Sequence, residues 1–67
     1  MHIGELIQQK RMEKGISQNE LAQRADVGVL YIKHIEKGIG GLSFDKIVRI
    51  AHALDIDIRE LAVFYTK

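Results

Sequence analysis

Glycine punctuation constrains this chain more than any other feature. Glycines stand at positions 4, 15, 28, 38, 40 and 41 of 67 residues, proline is absent, and the stretches between them carry helical apolar spacing. Ile3, Leu6 and Ile7 share one face of a segment from Ile3 to Lys14, and Gly15 followed by apolar Ile16 reads as a left-handed helix stop. Ser17-Gln18-Asn19-Glu20 reads as a capping box, with the Ser17 hydroxyl accepting from the amide of Glu20 and the Glu20 carboxylate reaching back to the amide of Ser17. The spacing predicts a second helix from Ser17 or Gln18 to Arg24 or Ala25. A turn follows at Asp26-Val27-Gly28, then a third helix over Val29 to Lys37 with Ile32 and Ile35 inward.

Gly38 closes the third segment as Gly15 closes the first, and Ile39-Gly40-Gly41-Leu42 is a loop. Ser43 is placed as the N-cap of a helix over Phe44 to Leu54, whose buried stripe is Ile47, Ile50, Ala51 and Leu54. Asp57-Ile58-Arg59-Glu60 repeats the capping-box pattern and opens a last short helix containing Leu61 and Ala62. A strand over Val27 to Ile35 is the competing reading, because these residue types suit a sheet, but no other stretch offers it a partner. The expectation is an all-α chain of five short helices forming a single domain over 1–67.

At this length a single apolar core is barely self-sufficient, since small domains below about 70–80 residues usually need reinforcement. Cysteine is absent, so neither disulfides nor thiolate zinc sites supply it, and helix packing or self-association must. Apolar residues at 46% with charged residues at 28% fit a folded, water-soluble chain rather than a disordered one. Met1-His2-Ile3-Gly4-Glu5 shows no basic region leading into an apolar stretch, and the longest unbroken apolar run, Leu61 to Tyr65, is far too short to span a membrane. The expectation is a cytoplasmic protein. Ten Lys and Arg against nine Asp and Glu give a net charge of +1, so any basic footprint must come from placement rather than total charge.

Catalysis finds little support. Glu13, Glu20, Asp45 and Asp55 fall at caps or on outward faces with no nucleophile and base beside them, and five short helices leave little room for a concave pocket. His2, His34 and His52 lack ligand spacing, so no metal, cofactor or small-molecule substrate is expected.

Taken together, Ile3-Gly4-Glu5, Arg11, Gly15-Ile16-Ser17-Gln18, Glu20-Leu21-Ala22, Val27, Tyr31-Ile32, Ile35-Glu36-Lys37-Gly38, Ile50-Ala51-His52-Ala53-Leu54 and Glu60-Leu61 carry a resemblance. The chain resembles the phage-repressor and Cro-like helix-turn-helix regulators, the XRE family, from Ile3 to about Leu61. The resemblance implies a lambda-repressor-like fold with helices two and three as the motif, and Ala22 where these cross most closely. Leu21, Val27, Ile32 and Ile35 then close the core around that crossing. It further implies a structural ion pair between Arg11 and Glu36, and double-stranded DNA as the partner, with the third helix in the major groove.

Carried residue by residue, the DNA-binding set is Gln18, Gly28, Val29, Leu30, Lys33, His34, Lys37 and Ser43. Lys33 and Lys37 reach phosphates or guanine edges, His34 a base, and Gln18 and the amides near Ser43 phosphates. Lys10 is a further candidate phosphate contact, with a solvated face as its alternative. The sequence departs from the family pattern in several places. Val29 and Leu30 stand where polar residues are usual, and they suit thymine methyls rather than hydrogen bonds. Asp26 replaces a turn glycine, Gly28 a serine cap, and Ile39-Gly40-Gly41 lacks basic residues. Ala51 to Leu54 and the tail Leu61 to Tyr65 read either as core or as a dimer surface, and Leu61, Phe64 and Tyr65 are the expected dimer interface. The functional expectation is a transcription repressor, a homodimer on a two-fold-symmetric operator. The alternative is a scaffold used for protein interaction or as an antitoxin.

Overall fold

A computed structural model describes residues 2–64. Its elements are α1 (Ile3–Glu13), α2 (Gln18–Ala25), α3 (Val29–Glu36), α4 (Phe44–Leu54) and α5 (Ile58–Ala62), with no strand among the described residues. The alternative of a strand at Val27 to Ile35 is therefore wrong. Ile32 and Ile35 bury one face of a helix there, which a period of two cannot do.

Local chemistry sets most of the helix ends. After α1, Lys14 remains right-handed and Gly15 turns to φ +69°, so the amides of Gly15 and Ile16 close back on the carbonyls of Met12 and Arg11. The same pair of bonds ends α3, where Gly38 and Ile39 return to Ile35 and His34. Asp26 takes the left-handed position after α2 at φ 56°, a conformation that Asp tolerates better than most residues. Ser17 caps α2 by accepting from the amide of Glu20 at 3.0 Å, but the reciprocal half of the expected box is absent. The Glu20 carboxylate is taken by Arg24 one turn on, at 2.6 Å, because a full charge outcompetes an amide. Asp57 and Glu60 do form the complete box at the head of α5. Ser43 occupies the N-cap position of α4, yet its side chain caps nothing. Its amide instead donates to the Tyr31 hydroxyl at 3.3 Å.

The core gathers Ile3 and Ile7 from α1, Leu21, Ala22 and Ala25 from α2, Ile32 and Ile35 from α3, and Ile47, Ile50, Ala51 and Leu54 from α4. α2 packs against α3 and α4, and α1 against the same two helices. Ala22 is 5% exposed within this core, where a methyl lets α2 lie close to its neighbours. Gly4 makes the closest approach of any glycine in the chain. A Cβ there would run into the carbonyl oxygen of Ile35, so the head of α1 rests directly on the backbone at the end of α3.

Leu61 is 1% exposed and belongs to this core, which corrects its expected place in a dimer interface: the last helix uses it to seal the chain's own interior. Phe64 is half-buried against the same core, and Tyr65 lies outside the described residues. A cleft of about 300 Å³ opens between His2, Ile35, Gly38, Ile39, Leu42 and Phe64, a larger concavity than the sequence leads one to expect. No helix among the described residues is long and apolar enough to cross a membrane.

Candidate nucleic-acid interface

Two backbone turns and one buried ion pair present α3 to solvent. The Glu36 carboxylate, 2% exposed, receives Arg11 Nε at 2.7 Å and Nη2 at 3.1 Å, a bidentate pair reaching from α1. Arg11 Nη1 also donates to the carbonyl of Ile16 at 2.9 Å, and Gln18 Nε2 donates to Glu36 Oε1 at 3.0 Å. One carboxylate thus ties together α1, the loop after it, the head of α2 and the end of α3. Every fully buried side-chain polar atom among the described residues has a partner. A pair buried in this way fixes geometry more than it adds stability, because desolvation offsets most of its attraction.

The turn between α2 and α3 is held from α4. Arg49 donates to the carbonyl of Asp26 at 3.0 Å while its other nitrogen pairs with Asp45 at 2.9 Å. The sequence reading missed this brace, since nothing local links positions 26 and 49. Tyr31 adds a second tie to the head of α4 through its bond to Ser43, and Lys46 Nζ lies 4.8 Å from the centre of the Tyr31 ring.

Leu30, Lys33, His34 and Lys37 are exposed at spacings i, i+3, i+4 and i+7, so they form one stripe along α3. Val29 does not join them. It packs half-buried against the core. Gly28 is exposed at the N-cap and leaves the head of the helix bare. Gln18 is half-buried with its amide on Glu36, a posture the sequence did not reveal.

Charge pairing sharpens the picture. Lys10, Arg11, Lys14, Arg24, Arg49 and Arg59 each lie within 4.0 Å of a carboxylate oxygen, Lys10 being paired to Glu60. Lys33, Lys37 and Lys46 form no ion pair among the described residues, and all three lie on α3, at its end or on the helix joined to it by Tyr31. Among the described residues, a chain of net charge +1 thus leaves its uncompensated cations on α3 and the adjoining head of α4. No group of three or more His, Cys, Asp or Glu that would hold a metal occurs among the described residues.

A short helix, a tight turn and a second helix held outward by a buried ion pair define a helix-turn-helix protein. The chain belongs to the helix-turn-helix family of the XRE type, whose model matches residues 7–61. It is 36% identical to control protein C.BamHI of Bacillus amyloliquefaciens over 64 residues, covering 94% of this chain and 79% of that one. An uncharacterized HTH-type transcriptional regulator of Rickettsia prowazekii is 39% identical over 56 residues, covering 84% of this chain but 43% of that longer protein. The crystal structure of the restriction-modification controller protein C.AhdI from Aeromonas hydrophila superposes with a TM-score of 0.81 at 36% identity, covering 87% of this chain and 88% of that one. The resemblance read from the sequence and the all-helical fold expected of it both hold.

Proposed function

We propose that the chain, acting over 1–67 as one helix-turn-helix domain, is a sequence-specific DNA-binding repressor of the controller-protein type. It works without catalysis, in the cytoplasm, as a homodimer on a two-fold-symmetric operator. The observation that carries this reading is the unpaired cationic stripe of α3, backed by Lys46. The two control proteins match this chain over most of their length, which supports the controller context.

α3 has eight residues and so spans about 12 Å, a length that lies within a major groove. Lys33 and Lys37 meet phosphates or guanine edges and His34 a base edge. Gln18, held by Glu36 through one N–H, has a second to give to a phosphate. The positive end of α4, where the Ser43 side chain makes no cap, offers a further phosphate contact. Phe64 and Tyr65 form part of the dimer surface, without Leu61.

The test is selection of bound sequences from a random duplex library by the purified protein at two salt concentrations. A two-fold-symmetric motif with a steep negative slope of log affinity against log salt is expected. Exposed Leu30 favours a second reading, a protein-contact surface on the same scaffold. Failure to recover any duplex at low salt would favour it.

A further inference from the structure

Leu30 is 61% exposed at the second position of α3, where an aliphatic side chain gains nothing from water. Its neighbours in that turn are committed elsewhere, Val29 to the core and Tyr31 through its hydroxyl to the amide of Ser43. Gly28, at the N-cap, brings no side chain of its own. Leu30 is therefore the one exposed side chain among the first three residues of α3. It leads a stripe whose other members, Lys33, His34 and Lys37, are polar or cationic, a match to a negatively charged groove.

The base edges of a major groove offer a leucine one favourable feature, the C5 methyl group of thymine. 5-Methylcytosine carries the same group in the same place. The hydrogen-bonding edges of adenine, guanine and unmodified cytosine lose water against an aliphatic chain and receive nothing in return. We infer that Leu30 reads a pyrimidine C5 methyl, so the interface prefers a thymine, or a 5-methylcytosine in its place, beneath the head of α3. This inference rests on the DNA-binding reading above and adds its base preference.

Deoxyuridine preserves thymine's hydrogen-bonding edge and removes only the methyl, so it isolates the effect. The full chain is titrated with duplexes of the selected site in which each thymine is replaced in turn by deoxyuridine. One position in each half-site is expected to lose affinity about fourfold, the transfer free energy of one methyl-sized group. A cytosine placed there gains by a similar factor on 5-methylation. In Leu30→Ala, whose fold is checked by circular dichroism, the thymine-to-uracil ratio falls to about one. In Lys33→Ala both duplexes weaken together and the ratio persists. A flat uracil scan with salt-dependent binding intact overturns the inference, as does a ratio that survives in Leu30→Ala. Absence of salt-dependent binding to any duplex overturns the DNA-binding proposal itself.

Discussion

Replacing Gly4 by alanine sets helix propensity against packing, and the structure decides the sign. Gly4 lies in the first turn of α1, where alanine in an unobstructed helix adds about 0.5–1 kcal/mol. Here the added Cβ would lie far inside 3.0 Å of the Ile35 carbonyl oxygen, and within 3.0 Å of the Glu36 Cα, so backbone rather than a rotatable side chain must yield. That carbonyl also accepts the amide of Gly38 in the turn ending α3, at 3.0 Å. Overpacking costs about 1–3 kcal/mol, and with no side chain able to give way the upper end applies, for a net loss of about 2 kcal/mol. Total stability for a chain of this size is about 3–10 kcal/mol, so the melting temperature should fall by about 8–16 °C. Thermal melts by far-ultraviolet circular dichroism measure it, with Gly41→Ala as control, because nothing lies within 4 Å of a Cβ at Gly41. The control should melt within a few degrees of the parent, at about 0–1 kcal/mol gained. A Gly4→Ala protein that melts at or above the parent would refute the close approach of α1 to α3.

Arg11→Ala should cost about 3–5 kcal/mol by urea denaturation, because it strands the Glu36 carboxylate in the interior, whereas Arg11→Met with Glu36→Leu should recover most of that loss. A double variant as unstable as the single one would count against the pair as a geometric device. The Lys14 ammonium, which donates a hydrogen bond to Asp55, holds that carboxyl below its ordinary 3.8, and the Arg59 guanidinium and amide do the same for Asp57. Both folded values lie below the unfolded ones, so the unfolded chain binds more protons in acid. Their stabilisation is complete above about pH 5 and is lost as pH falls through the folded values. Melting curves of Asp55→Asn with Asp57→Asn should decline less than the parent between about pH 5 and 3, and an equal decline would contradict the pairing. Lys33→Ala should lower the salt slope of operator binding by about one while weakening affinity for all sequences alike if it meets a phosphate. An unchanged slope together with relaxed preference at one base pair would place it on a base edge instead.

Much of the fold was legible because its signals are local. The glycine stops at 15 and 38, the caps at Ser17 and Asp57, and the Ile47, Ile50, Ala51, Leu54 stripe each depend on residues within one or two turns. The stripe of Leu30, Lys33, His34 and Lys37 was equally visible, because helical spacing alone puts these residues on one face. What those residues have available to bind was not visible. Lys10 reads as a free cation in sequence, yet it faces Glu60, and Lys14 faces Asp55, partners 50 and 41 positions away that only the packing of α1 brings near. Gln18 and Glu36 meet for the same reason, as does Arg49 with the turn at Asp26.

Thus the sequence by itself determined where the helices begin and end and which faces are apolar, because caps, turns and periodicity act over a few residues. Tertiary structure alone decided that Gly4 must have no side chain, that Leu61 belongs to the interior rather than to a partner, and that, among the described residues, the cations left without a carboxylate lie on α3 and the head of α4. Those outcomes depend on distances between segments far apart in the chain. Such distances follow from how the whole set of helices packs, and no window of sequence contains them.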